Sequence, residues 1–410
     1  MRFFHMSDLH IGKQLHERSL LDDQRHMLAQ VIGYVREYRP DAVIIAGDVY
    51  DKSLPSAEAV TVFDDFIAAL ADTGTAVMLI SGNHDSAERL NYGSRIFTKS
   101  NIYVAGMPPR SKEDHLKSVV LKDEYGEVTF WLMPFIKPGH VKGIFADEDA
   151  VGAQADAVEA FTDAVGASTD AVGACCSSYD SAVHAVIARE NIDYSKRNVI
   201  VSHQLYTNGH EQPARTDSET ISIGGIDNVD VSAVKNFDYA ALGHIHRGQK
   251  VGYDYVRYCG TMFKYSVSER KDNKALLMID IRSKGEPVTI TEHKIDALHD
   301  VRLIKGKFDE IIRQYSGNNT DDYVSVVLTD EAEVYNARQA LIDIFPNLLA
   351  VSVDNSRTNR EYDDTYTEDA DVSPDKLFAE FFRLMQGRDM SDDERRAMED
   401  VINTSCRQLG

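Results

Sequence analysis

The chain has 410 residues, 43% of them hydrophobic, and a formal net charge of −22. That length suits one large domain with one or two small ones, and the acidity excludes a chain that grips duplex nucleic acid tightly by itself, since phosphate binding normally needs a basic surface. No apolar run approaches the roughly 20 residues that cross a bilayer, the start Arg-Phe-Phe-His-Met is too quickly charged for a signal peptide, and Cys175, Cys176, Cys259 and Cys406 show no C-x-x-C spacing. Neither a disulfide framework nor zinc knuckles are expected, and a cytoplasmic location follows.

Arg2–Met6 reads as a strand, followed by an amphipathic stretch to Tyr38 carrying Leu20, Met27, Leu28, Val31, Ile32 and Val35. Ala42–Ala46 is a second buried strand, Val60–Leu70 a helix and Thr75–Ile80 a third strand. This βαβαβ order predicts a parallel sheet core. Apolar runs at 130–135, 198–202, 238–242, 253–258 and 275–281 predict a second sheet packed on the first. The expected fold over residues 1–281 is therefore α/β, a two-sheet β-sandwich flanked by helices. Within it, residues 149–176 repeat Asp-Ala-Val from Asp149, Asp156, Asp163 and Asp170. The period of seven suggests a coiled coil, but the apolar positions are only Ala and Val. Glycine recurs in the repeats and costs about 1 kcal/mol against Ala inside a helix. A surface helix or flexible insertion is the expectation.

Residues 282–354 read as a small α+β domain without a motif that carries chemistry, with strands Val301–Lys305, Tyr323–Leu328 and Leu349–Val353 and helices at Phe308–Tyr315 and around Ala332–Ile344. Residues 355–372 are polar and acidic, as in a linker. From 373 to 410 a helix pair is predicted. Ser373-Pro374 opens the first helix, which carries Leu377, Phe378, Phe381, Phe382, Leu384 and Met385. Ser391-Asp-Asp-Glu394 is a capping box that opens the second. Such an apolar face must be covered, and the pattern leaves the chain's own body and a partner both open.

Seven potential metal ligands lie just past strand-like runs: Asp8, His10, Asp48, Asn83, His203, His244 and His246. Three carboxylate or amide oxygens and four imidazoles exceed the needs of one transition metal. They suit two divalent ions sharing one carboxylate, for which Asp48 is the candidate. Two ions roughly 3.5–4 Å apart are the usual arrangement for in-line phosphoester hydrolysis. Mixed imidazole and oxygen donors favour manganese or iron over magnesium or calcium. Gly47, Gly82 and Gly243 each precede a ligand, where the backbone must pass close to the ions. His84 is expected to be catalytic, hydrogen-bonding a phosphoryl oxygen or protonating the leaving alkoxide, with the Asp51 carboxylate fixing its tautomer. His5, inside the first strand, reads as structural, and Asp85 as a former of loop hydrogen bonds.

These segments resemble the signature of the calcineurin-like metallophosphoesterase superfamily. Met1-Arg-Phe-Phe-His-Met-Ser-Asp-Leu-His-Ile-Gly, Ala-Gly-Asp-Val-Tyr-Asp, Ile-Ser-Gly-Asn-His-Asp-Ser, Leu-Gly-His-Ile-His and Tyr258-Cys-Gly-Thr-Met-Phe-Lys-Tyr-Ser resemble above all its bacterial DNA-nuclease members. The likeness runs from Met1 to about Ile281 and continues more weakly through residues 282–354, which it implies are a capping domain. It implies a Mn2+-dependent nuclease of DNA repair and recombination, a 3′→5′ exonuclease on duplex ends and an endonuclease on hairpins and single strands. It places Asp8, His10, Asp48 and His246 on one ion, and Asp48, Asn83, His203 and His244 on the other. It also implies a homodimer within a heterotetramer, whose SMC-like ATPase partner gates access to DNA and is gripped by the terminal helix pair. The Asp-Ala-Val repeat departs from the family pattern. The alternative is another phosphodiesterase or phosphatase of the same superfamily, acting on a small-molecule or protein phosphoester. A DNA-end scaffold with a vestigial site fits a complete ligand set poorly.

Overall fold

The structure is a computed structural model that describes residues 1–145, 178–209, 211–219, 227–317 and 320–356, with isolated positions between 378 and 398. The repeat at 149–176, nearly all of the acidic stretch and most of the terminal helix pair lie outside the described residues.

Runs such as Phe-Phe-His-Met and Ala-Val-Ile-Ile-Ala have no polar face, so they form strands covered on both sides. In chain order the elements are β1 (Arg2–Met6), α1 (Leu21–Tyr38), β2 (Ala42–Ala46), α2 (Ala57–Ala71), β3 (Ala76–Ile80), α3 (Ala87–Leu90), α4 (Ser94–Phe97), β4 (Ile102–Ala105), β5 (Lys117–Asp123) and β6 (Gly126–Met133). After the 149–176 stretch come α5 (Tyr179–Ala188), β7 (Arg197–Ser202), β8 (Tyr239–Leu242), β9 (Gln249–Val251), β10 (Tyr253–Tyr258), β11 (Ala275–Asp280) and β12 (Thr289–Lys294). A last group comprises β13 (Val301–Gly306), α6 (Phe308–Tyr315), β14 (Tyr323–Leu328), α7 (Ala337–Ile342) and β15 (Leu348–Val353).

Among the described residues, two six-stranded sheets form the sandwich, ordered β12-β11-β1-β2-β3-β4 and β9-β10-β8-β7-β6-β5. In each, the central strands are parallel and the chain returns by antiparallel pairing at the edge. Successive side chains of a strand point to opposite faces. Phe3 and Ile44 therefore enter the layer between the sheets, while Phe4, Met6, Val43 and Ile45 meet the apolar faces of α1 and α2. The inter-sheet layer centres on Phe3, which packs edge-on against Phe130 at 5.4 Å and Tyr239 at 5.8 Å. On the far side Val183 and Val186 of α5 cover Ile200, Ala240 and Leu242 of the second sheet.

The first sheet runs on to Lys294, past the Ile281 at which the sequence ends the phosphoesterase body. The reason is that β12 is a largely exposed edge strand whose alternating polar residues carry no buried-strand signal. β13, β14 and β15 form a parallel three-stranded sheet with α6 and α7 as crossovers. It is tied to α1 through the buried Asp23, whose carboxylate accepts from the Tyr323 hydroxyl at 2.7 Å and from the His299 main-chain N–H at 3.0 Å.

The chain falls into two compact units, Met1–Asp354 and Asn355–Gly410. Within the second, Ser391 and Glu394 bond reciprocally, the Ser391 N–H to Glu394 Oε2 at 2.8 Å and the Glu394 N–H to Ser391 Oγ at 3.4 Å, as in a capping box. Among the described residues no helix is long and apolar enough to cross a membrane.

Deleting a ring from the inter-sheet layer removes its transfer energy and leaves a cavity. Phe3→Ala is expected to lower the unfolding free energy by about 3–5 kcal/mol, whereas Tyr335→Ala, at a residue 82% exposed, should stay within about 0.5 kcal/mol of the parent. Urea unfolding monitored by circular dichroism measures both. Equal midpoints would contradict this account of the core.

Candidate metal centre

The carboxyl ends of β1 and β2 pass directly into Ser7-Asp8 and Gly47-Asp48, that of β3 through Ser81 into Gly82-Asn83, and those of β7 and β8 into His203 and Gly243-His244. Main-chain bonds knit these turns together, with the Asp8 N–H on Gly47 O and the His10 N–H on Asp48 O, both at 3.0 Å. Among the described residues nine non-glycine positions have positive φ, and four of them are Asp8 (52°), His10 (43°), Asp48 (49°) and His244 (101°). Such conformations cost about 1–3 kcal/mol each and persist where surrounding structure over-determines them. The glycines leave room for this crowding: a Cβ on Gly82 would overlap Oδ1 of Asp48, and one on Gly243 would overlap the Ala46 carbonyl oxygen.

The structure brings all seven predicted ligands and His84 to one place. Asp8, His10 and His246 form one buried group, and Asp8, Asp48 and His203 another; a third, His10, Asp48 and His84, is completed by the half-buried His84. His10 Nε2 and His246 Nε2 face each other at 3.1 Å. Asn83 Oδ1 lies 3.1 Å from His203 Nε2 and 2.9 Å from His244 Nδ1. Asp48 Oδ2 sits between the two halves, 3.7 Å from His10 Nε2 and 3.2 Å from His203 Nε2. Its other oxygen is occupied by the His84 N–H at 2.8 Å. Asp8 accepts from the His244 N–H at 3.0 Å and from the Ser7 hydroxyl.

Burial sets the electrostatics. It pushes His10 and His244 down to about 3 and His246 well below the usual imidazole range, so these three rings are neutral. Burial would lower His203 too, but Asp48 and Asp8 override it and raise it to about 9. Burial, opposed by His203 and reinforced by Asp48, pushes Asp8 up to about 7. Burial also works against the charge of Asp48, yet His203, His10 and His84 hold it well below the ordinary carboxylate range. Neutral imidazoles and deprotonated carboxylates are the forms that bind metal. The donor set fits a pair of divalent cations: buried imidazole nitrogens and carboxylate oxygens converge, His10 Nε2 lies 3.1 Å from His246 Nε2, and His10 Nδ1 has no hydrogen-bond partner of its own.

His84 is held differently from the expectation. Its Nδ1 donates to the main-chain carbonyl of Asp51 at 2.9 Å, while the Asp51 carboxylate takes the Lys13 ammonium at 2.9 Å and faces His10 Nδ1 at 3.7 Å. The carboxylate is drawn away by a lysine that the motif gives no reason to notice. Asp85 binds three main-chain N–H groups, of Val49, Tyr50 and Gly82 at 2.9–3.1 Å, fastening the second turn to the third. His5 is fully buried with Nδ1 3.0 Å from the Tyr239 hydroxyl. Sequence reasoning misses Gln24, whose amide nitrogen bonds His10 O at 2.8 Å and Leu9 O at 3.2 Å, and Ser218, 2.6 Å from His246 Nδ1. Gln24 had one signal, an uncharged polar residue on the apolar face of α1.

Residues 1–148 match the family model described as calcineurin-like phosphoesterase. Residues 297–386 match one described as the type 5 capsule protein repressor C-terminal domain, SbcD_C. The chain is 28% identical over 357 residues to the SbcD component of the SbcCD nuclease of Staphylococcus epidermidis, covering 86% of this chain and 85% of that one. It is 27% identical over 407 residues to the SbcD of Staphylococcus saprophyticus, covering 98% of each. Among solved structures, a dimetal phosphatase from Danio rerio is similar at 13% identity and a TM-score of 0.38, over 72% of this chain and 97% of that one. Residues 1–148 carry a calcineurin-like phosphoesterase region, and the chain is similar to SbcD over nearly its whole length. It is thus a metal-dependent phosphoester hydrolase using divalent cations.

Because Gly82 leaves the space that Asp48 occupies, Gly82→Ala is expected to weaken binding of divalent metal by about 10- to 100-fold while the fold is kept. Isothermal titration with Mn2+ alongside circular dichroism checks this. Unchanged affinity would show that the Asp48 carboxylate is free to move.

Proposed function

We propose that this chain is the nuclease component of an SbcCD-type complex and hydrolyses DNA phosphodiesters with two divalent cations. One would be held by Asp8, His10, Asp48 and His246, the other by Asp48, Asn83, His203 and His244. The observation that carries this reading is Asp48, one oxygen of which faces both donor sets, in a chain alignable from end to end with the SbcD component of such a nuclease. Manganese is the proposed metal, since imidazole and oxygen donors are mixed. Bound there, the two cations would polarise the phosphoryl oxygens and acidify the attacking water.

The protein's own groups do the rest. Asp48 is held ionised, and its bond to the His84 N–H fixes where the His84 ring begins. Since a carbonyl oxygen only accepts, Asp51 keeps a proton on His84 Nδ1. His84 can therefore deliver a proton from Nε2 to the leaving oxygen only as the imidazolium. The proposed substrates are duplex ends, digested 3′→5′, and hairpins or single strands cut internally. With a net charge of −22, the chain would rely on a basic partner, an SbcC-type SMC-like ATPase, for much of its grip on DNA. We assign residues 373–410 to that partner, 282–354 to a capping role and 355–372 to a linker, all in the cytoplasm. With Mn2+ and the ATPase, cleavage of an end-labelled hairpin is expected, and His84→Ala should retain metal and lose about 10²–10⁴-fold in rate. Cleavage of bis-p-nitrophenyl phosphate alone, even with the ATPase present, would instead identify a small-ester phosphodiesterase.

The complex would contain a homodimer of this chain. Support comes from the segment after the Gly-Asn-His-Asp turn, where Tyr92 is 84%, Ile96 69% and Phe97 40% exposed. Large apolar side chains grouped on the surface mark interaction sites. Ile96→Glu is expected to convert the dimer to a monomer in light scattering. A mass unchanged from the parent would place the interface elsewhere.

A further inference from the structure

The two halves of the centre orient their imidazoles by different means. On one side His203 Nδ1 donates to a main-chain carbonyl, Ala46 O, at 2.7 Å. That acceptor belongs to β2 and cannot move without the sheet. On the other side His246 Nδ1 meets a side chain, Ser218 Oγ at 2.6 Å, on the loop between the short strands Leu205–Thr207 and Asn228–Asp230. Ser218 Oγ in turn donates to Glu269 Oε1 at 2.7 Å. Glu269 is fully buried. It also accepts from Ser266 Oγ at 2.8 Å and the ammonium of Lys274 at 2.6 Å. Lys274 spends its other protons on His246 O at 3.0 Å and Thr261 Oγ1 at 2.7 Å.

Donor counting fixes the direction of this chain of bonds. A carboxylate only accepts, so the single Ser218 proton goes to Glu269, and the serine oxygen must then accept from His246 Nδ1–H. The nearby Thr216 hydroxyl, 2.9 Å from Ser218 Oγ, can add a second donor to that oxygen or turn to Glu219 Oε1 at 3.2 Å. With its proton on Nδ1, His246 presents a bare Nε2 toward His10. The same loop holds the backbone, because Glu219 Oε1 accepts from the His246 N–H at 2.9 Å and the Asp217 N–H bonds Ser268 Oγ at 3.0 Å.

We infer that Ser218 and Glu269, anchored by Lys274, are positioning residues that lock His246 in its metal-binding tautomer, so that only the Asp8–His10–His246 half of the centre depends on seating of the 211–219 loop. This rests on the reading of His246 as a metal ligand. A second coordination shell normally fixes the tautomer and the basicity of a ligating imidazole; here one half takes it from a rigid strand and the other from a loop side chain.

The test compares Mn2+ binding by the full-length parent and by Ser218→Ala, Ser218→Thr and His246→Ala, using isothermal titration and electron paramagnetic resonance. Ser218 is only partly buried on its loop, and circular dichroism confirms that each variant is folded. The parent is expected to bind two ions with the spectrum of a spin-coupled pair. In Ser218→Ala one of the two sites should weaken about 10- to 100-fold, leaving the resolved hyperfine pattern of an isolated Mn2+, and Ser218→Thr, which keeps the hydroxyl, should restore the coupled pair. Two ions bound by Ser218→Ala as tightly as by the parent, or both weakened equally, would overturn the inference. If His246→Ala also keeps both ions, the ligand assignment itself is at fault rather than the relay; loss of one ion there with none in Ser218→Ala condemns the relay alone.

Discussion

A buried hydrogen bond ties the two sheets together at the centre, from His203 Nδ1 to the Ala46 carbonyl at 2.7 Å. Ala46 ends β2 in the first sheet and His203 follows β7 in the second, so this buried contact fixes where one layer's turns lie against the other's. Gly47 and Gly243 flank it because a Cβ at either position would occupy the space of the His203 ring. Asp8, His10, Asp48 and Asn83 come from the first sheet, and His203, His244 and His246 from the second. Neither sheet alone can hold two cations, and the centre is therefore a property of their alignment. The apolar layer of Phe3, Phe130 and Tyr239 maintains that alignment at a distance from the chemistry.

The same geometry explains why such charges tolerate burial. Isolated carboxylates inside a protein cost several kcal/mol each unless paired and hydrogen-bonded. Asp48 is bound by the His84 N–H and faces His203, and Asp8 is bound by the Ser7 hydroxyl and the His244 N–H. Yet burial and mutual repulsion still push Asp8 up to about 7, so the pairing among protein groups is incomplete. Divalent cations bound beside these carboxylates would supply the missing positive charge. Four positive-φ residues in these turns store strain for the same end, which agrees with local rules of sequence failing first at functional sites.

Much of this was legible in the sequence, for identifiable reasons. β2 and β14 fall on the predicted residues because a buried strand is a nearly continuous apolar run, and β10 does so on its aromatic and β-branched residues although Asp254 and Arg257 interrupt it. The candidate ligands were legible because each lies just past such a run, where open α/β sheets place their sites. The sheet edges β4, β5, β9 and β12 were not, since an edge strand is short or half-polar and its pairing depends on a neighbour distant in sequence. The atom by which Asp51 holds His84 was also hidden: carboxylate and carbonyl belong to one residue, and only the position of Lys13 decides between them. Ser218 and Glu269 stand 51 positions apart in loops without a shared pattern, so no spacing rule could pair them.

The placement of charge bears on how such a site meets its substrate. The chain carries −22 overall, while the candidate ligands Asp8, His10 and His203 are almost wholly buried. At physiological ionic strength fields are screened over about 8 Å, so the field of cations bound among such buried groups would reach little beyond the mouth of the centre. Recognition of a phosphodiester there would depend on fit against the turns more than on long-range attraction. The Ser218 hydroxyl, 2.6 Å from His246 Nδ1, ties one half of that surface to a loop, while Ala46 O ties the other to a sheet.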